Sequence, residues 1–123
     1  MHAKGFPNCF FFGPAQSALT ATYTFSLDEN GIHLAHILSE AKKRGATRIE
    51  ASAEAEAAWV QTINDKACLT ADFQSACTPG YYNNEGHVNV APQNNFYGGG
   101  PIEFFKLMKK WRNGKLEGLE VRN

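Results

Sequence analysis

Apolar positions along the chain fall into distinct spacings, and each spacing predicts an element. Phe6 to Phe12 is a compact aromatic run bounded by Pro7-Asn8 and Gly13-Pro14, which predicts a short buried strand opening the chain. Ser26 with Glu29 three places on forms a capping-box pattern and predicts a helix from there to about Arg44. Its apolar stripe is Leu34, Ile37, Leu38 and Ala41, with Lys42, Lys43 and Arg44 complementing the C-terminal dipole before Gly45. Gly31 weakens its start. After an extended piece at Thr47 to Glu50, Ser52 caps a second helix, with Glu54 and Glu56 in its first turn and Trp59, Val60, Ile63 and Ala67 as its buried stripe.

From about Thr70 to Gly100 the residues are those of turns, and the composition predicts one long loop. Loops beyond about 12–15 residues are usually functional or docked on another surface, so this one is expected to have a partner surface. Pro101 then stands at the first position of a third helix, with Phe104, Phe105, Met108 and Trp111 as its apolar face and Gly114 as its stop. Leu116 to Val121 alternates enough for a short edge strand. The expected fold class is α/β (α+β): a helix-rich single domain over residues 1–123, with an N-terminal strand, three main helices, a docking loop over 70–100 and a short C-terminal strand.

Composition narrows the function. The chain has 123 residues, 43% of them hydrophobic, which suffices for one ordered core and argues against intrinsic disorder. Twelve basic residues balance twelve acidic ones, so no field favours nucleic acid or an anionic lipid surface as partner. The longest strongly apolar run, Cys9 to Phe12, is far short of the roughly 20 residues of a membrane span. No apolar stretch of signal-peptide length precedes Gly5 and Pro7, so the expected location is cytoplasmic. Cys9, Cys68 and Cys77 lack C-x-x-C spacing and fit free thiols.

Candidate chemistry is sparse. His33 and His36, with Glu40 a turn further on, could bring imidazole and carboxylate to one helix face, but a third metal ligand is missing and the expectation is no metal. The same histidines could serve as general acid or base, against a simpler role in packing. Gly98-Gly99-Gly100 precedes a helix start, yet no P-loop Gly-Lys-Ser/Thr follows, and neither G-x-G-x-x-G nor G-x-S-x-G occurs.

Several motifs in register go further. Gly5-Phe6-Pro7-Asn8-Cys9-Phe10-Phe11-Phe12-Gly13-Pro14, then Thr47-Arg48-Ile49-Glu50-Ala51, Glu54-Ala55-Glu56 and Trp59, resemble the C-terminal part of Baeyer–Villiger flavin monooxygenases. Cys77-Thr78-Pro79-Gly80-Tyr81-Tyr82-Asn83-Asn84-Glu85-Gly86 and Tyr97-Gly98-Gly99-Gly100-Pro101-Ile102-Glu103-Phe104-Phe105 are similar to the branch acting on large cyclic or steroid-like ketones. The resemblance implies that the opening segment matches the last strand of an FAD domain and that Gly13, Pro14, Gln16 and Ser17 lie near the flavin. It implies that Leu19, Thr20, Ala21, Thr22 and Tyr23 line a substrate pocket, and that the Cys77 to Gly100 segment wraps over the rest of the enzyme. The family's two dinucleotide motifs, its F-x-G-x-x-x-H-x-x-x-W fingerprint and its peroxyflavin-stabilising arginine have no counterpart here. None of Arg44, Arg48, Arg112 and Arg122 stands at the matching place.

The expected function is therefore that of a truncated monooxygenase-like protein that is not an oxygenase alone. It would keep part of an apolar pocket for a cyclic or polycyclic ketone-like molecule. Alone it would bind neither FAD nor NADPH, the cofactors of the full-length family. Its expected partners are a hydrophobic small molecule and either a second copy or a complementary flavin-domain chain. One alternative is a cofactor-independent isomerase, cyclase or hydro-lyase using Tyr23, Asp28, Glu29, His33 and His36 as acid and base. Another is a non-catalytic binding subunit contacting through Tyr81 to Gly86.

Overall fold

A computed structural model describes residues 1–67, 71–87 and 92–123. The elements run α1 (Tyr23–Lys43), β1 (Arg48–Ala51), α2 (Ala53–Asp65), α3 (Ala71–Ala76), two 3-10 turns (Tyr81–Gly86 and Pro92–Asn94), α4 (Pro101–Arg112) and β2 (Leu119–Arg122). The expected helix-rich α/β class is what the structure has. Among the described residues the two strands form one antiparallel sheet, with Ile49 opposite Val121 and Glu50 opposite Glu120.

Local chemistry explains the helices that sequence located well. The Ser52 hydroxyl accepts the Ala55 N–H at 3.1 Å and leaves Glu54 and Glu56 at the positive end of α2. Pro101 opens α4, and Lys109, Lys110 and Arg112 occupy its last turn.

Three expectations are corrected. The opening strand does not form. Pro7 has no N–H to give a ladder, and Asn8 sits at φ 57, turning the chain so that the Cys9 N–H returns to the Phe6 carbonyl. Asn8 instead mimics a single strand residue. Its N–H donates to the Ile49 carbonyl at 2.8 Å, its Oδ1 accepts the Ile49 N–H at 2.9 Å, and its Nδ2 donates to the Thr47 carbonyl at 2.9 Å.

The capping box at Ser26 and Glu29 is also absent, because α1 begins three residues earlier. Thr22 is the N-cap without a side-chain cap bond, and Ser26 and Glu29 are buried inside the helix. The apolar stripe shifts with it. Ile37 and Ala41 are buried, but Leu38 remains 46% exposed and Leu34 half-buried, so α1 carries a second apolar ridge facing outward.

The third correction concerns residues 70–100, which are not structureless where they are described. Asn83 organises the first turn: its Oδ1 accepts the Gly80 and Gly86 N–H groups, and its Nδ2 donates to the Thr78 carbonyl. Asn84 and Glu85 take left-handed φ values of 51 and 54, which hydrogen-bonded turns tolerate at asparagine. Cys68 and Thr70 lie outside the described residues; Cys9 and Cys77 are free thiols.

Two apolar clusters make the core. One gathers Ala18, Ile63, Tyr97, Phe104, Phe105 and Met108, with Trp59 packed against it. The other gathers Ile37, Ala41, Ile49 and Leu116, with Trp111, Leu119 and Val121 around it. The first explains Gly99: a Cβ there would lie 2.5 Å from the Tyr97 ring, which is buried and stacked on Trp59 at 5.7 Å. At Gly114 the clash would be with the exposed Glu117 carboxylate, a flexible end that can turn away. Gly99→Ala is therefore expected to cost about 2 kcal/mol and Gly114→Ala under about 0.5 kcal/mol, read from thermal unfolding by circular dichroism.

Candidate functional site

The segment between Gly13 and Tyr23 carries most of the residues singled out in sequence. A flavin phosphate would need converging free N–H groups there. The Gln16 N–H, at φ 55, donates instead to the Asn95 carbonyl at 2.7 Å, and its side-chain amide donates to the Gln93 carbonyl at 2.9 Å. The Ser17 N–H donates to the Pro14 carbonyl at 3.1 Å, while the Ser17 carbonyl accepts the Tyr97 N–H at 2.9 Å. The Gln16 donors are spent on the 93–97 segment and the Ser17 N–H on the bend that Gly13 and Pro14 form. The residues present do not make a phosphate cradle.

Downstream, Ala18 plugs the first core cluster, and Leu19, Ala21, Thr22 and Tyr23 are exposed, with Thr20 donating to the Thr22 carbonyl at 2.7 Å. Leu19 and Tyr23, 51% and 47% exposed, make this stretch an open ledge. A cleft of about 430 Å³ lies elsewhere, lined by Asn8, Phe10, Leu38, Ala41, Ala46 and Ile49 among others. None of Leu19 to Tyr23 lines it.

The five acid-base candidates do not share one reacting point. Tyr23 and Asp28 are exposed, whereas Glu29 is buried and bound to Arg112 at 3.2 Å. His33 and His36 do come together, around the Trp111 ring, at centroid distances of 4.8 and 6.4 Å. Burial holds the His33 imidazole down to about 4, with the Arg112, His2 and His36 charges and the terminal amine pushing the same way. His2, stacked edge-on to Phe10 at 5.1 Å, is likewise held down to about 4 by burial and then by the terminal amine. Neutral imidazoles near a guanidinium are poor proton donors at neutral pH. Among the described residues no group of three or more His, Cys, Asp or Glu is placed to hold a metal ion.

Two polar clusters were invisible in sequence. The Tyr97 hydroxyl donates to Glu103, which also takes Lys66 at 3.0 Å, and the Lys66 ammonium sits 5.3 Å from the Tyr97 ring centroid. The Tyr97 hydrogen bond and the lysine hold the Glu103 carboxyl below its usual range, while burial and Glu103 push the phenol up. That phenol is no nucleophile at neutral pH; the triad ties α2, the glycine-rich turn and α4 together. In the sheet, Glu50 faces Glu120 directly, a repulsive pair that Lys4 bridges at 2.9 Å to Glu120 and 4.0 Å to Glu50. Lys66 is 37 residues from Glu103, and Lys4 is 46 or more from Glu50 and Glu120, so neither cation leaves a local signal, although Tyr97 and Glu103 are only six residues apart.

Comparisons place this geometry among known proteins. No family model matches the chain. It is 44% identical to neopentalenolactone D synthase of Streptomyces avermitilis over 99% of its length, and 37% identical to a Baeyer-Villiger monooxygenase of Streptomyces coelicolor over 95%. It superimposes on the polycyclic ketone monooxygenase from the thermophilic fungus Thermothelomyces thermophila with a TM-score of 0.79, at 29% identity over 99% of this chain. The chain spans about a fifth of these proteins: 21%, 19% and 20% of their lengths. Among the described residues no helix is long and apolar enough to cross a membrane.

Proposed function

We propose that this chain, which belongs to the Baeyer–Villiger monooxygenase family as a segment about a fifth of its relatives' length, is the docking and pocket-wall part of a flavin-dependent ketone oxygenase. The cradle for FAD and the site for NADPH belong to residues outside these 123. The observation that carries the reading is the apolar face on the stretch that resemblance places at the flavin and substrate. Phe6 is 60% exposed, Phe11 52% and Tyr23 47%, and Leu19, Phe25 and Leu27 are exposed beside them in sequence. Monomers seldom leave so much large apolar surface in water. On α1 the exposed positions Tyr23, Leu27 and Leu38, with half-buried Leu34, recur at spacings that keep them on one side of the helix, as a face meant for a partner would.

In this reading the ledge at Leu19 to Tyr23 is one wall of an apolar pocket for a cyclic or polycyclic ketone, and the complementary flavin-binding portion closes it. The reading is tested by mixing the chain with the flavin-binding portion of a relative and measuring association. Replacing both Leu27 and Leu38 with glutamate is expected to weaken association at least about tenfold, since burying the 38% and 46% of these leucines still exposed contributes roughly 1–2.5 kcal/mol in all, and two carboxylates would have to be desolvated in their place. Unchanged association would remove this face from the interface and the reading with it.

A further inference from the structure

Between the two apolar clusters runs a polar seam. On α1 it is lined by Ser26, Glu29, Asn30 and His33, all but His33 at most 8% exposed. Arg112 at the end of α4 faces them, its side chain 13% exposed and bound to Glu29. Five atoms in and around it are buried without a hydrogen-bond partner among the described residues: Ser26 Oγ, His33 Nδ1, His36 Nε2, Arg112 Nη1 and His2 Nε2. A half-satisfied buried network holds its surroundings weakly, because unmade hydrogen bonds are not offset. Across it, Phe25 meets Phe105 on one side, and on the other the histidines meet Trp111, which also packs on the second cluster.

We propose that this seam is an acid-operated release: proton uptake by His33 and His2 sets new positive charge against Arg112 and parts the N-terminal segment and the end of α4, with Trp111, from α1, while the helices themselves stay folded.

The groups facing His33 from every side support it. From α4 comes the Arg112 guanidinium with the Trp111 ring; from the N-terminal segment, His2 and the terminal amine; from α1, His36 and Glu29. Apart from Glu29 these groups are cationic, can become so, or are neutral. Glu29, already committed to Arg112, is the carboxylate of the seam, and Glu40 beyond it is paired with Lys43 at 2.6 Å. Charging His33 therefore meets repulsion without a free counter-charge.

The sign follows from linkage. Both imidazoles bind protons at about 4 in the closed seam and near 6.5 once released. The released form takes up more protons between those values, so the closed form is fully favoured above 6.5 and loses ground as pH falls toward 4.

The test is a pH titration of Trp111 emission beside far-ultraviolet circular dichroism, in the chain with wild-type histidines and in the His2→Gln/His33→Gln variant, both carrying Trp59→Phe so that Trp111 is the one tryptophan that emits. The wild type is expected to change emission between pH 6.5 and 4 with its helical signal retained, and the variant to lose that transition or move it down by at least a full pH unit. The same transition in the variant would overturn the proposal, and so would loss of the helical signal in step with emission, which is global unfolding. If the variant does not fold, His33→Gln alone is used, with a downward shift supporting the proposal and an unmoved midpoint overturning it.

Discussion

Tyr97→Ala is expected to destabilise the chain by about 4 kcal/mol, the largest loss from any single truncation here. The ring is 1% exposed, stacks on Trp59 at an interplanar angle of 7°, and contacts Phe104 at 5.7 Å. Removing it opens a cavity in the first cluster and leaves Glu103 and Lys66 without their buried partner. For a domain of this size the loss corresponds to a fall in Tm of roughly 10–20 °C. Tyr97→Phe keeps the stacking and removes only the hydroxyl, so about 1 kcal/mol is expected. Equal losses for the two variants would place the energy in the hydrogen bond rather than in the packing.

The second large effect concerns the Glu29–Arg112 pair. Both side chains are almost withdrawn from water, at 10% and 13% exposure, and removing either leaves the other charged and buried. Glu29→Gln or Arg112→Met alone is expected to cost about 3 kcal/mol, whereas the double variant should cost much less than the sum. Urea unfolding of all four proteins gives the coupling, expected at about 2 kcal/mol. Additive losses would mean that the pair is solvated and that the seam is not the closed contact its burial indicates.

What the sequence made legible was what neighbours in the chain decide. Ser52 caps α2 and Pro101 opens α4 because each acts within a turn of its own position. Phe104, Phe105 and Met108 read as one face because a helix fixes their spacing. Where a distant partner decides, local pattern misled. Ser26 and Glu29 have capping-box spacing, but Arg112, 83 residues from Glu29, draws that carboxylate into a helix interior. Phe6 to Phe12 has the composition of a strand, yet Asn8 reaches 39 to 41 residues along to Thr47 and Ile49 and turns the backbone away. Leu38 read as core because its period is right, and the face it belongs to is real but open in this chain.

For the site, the resemblance pointed to the stretch from Gly13 to Tyr23 and to the turn from Cys77 onward. What the relation to Baeyer–Villiger monooxygenases over nearly the whole chain supports is the family assignment. The chemistry of the individual residues was not legible. Gln16 and Ser17 show no sequence sign of being spent on Gln93, Asn95 and Tyr97. His33 and His36 drew notice as a pair, but their surroundings come from residues 2, 111 and 112.

The central claim is that these residues complete a flavoenzyme without holding the flavin themselves. It is tested most directly by the visible absorption of the chain after incubation with FAD and desalting, alone and together with the flavin-binding portion of a relative. No flavin band is expected for the chain alone, and a band near one flavin per complex is expected to co-elute with the chain when the complementary portion is present. A flavin band retained by the chain alone, or a complementary portion that keeps its flavin and never co-elutes with the chain, would contradict it.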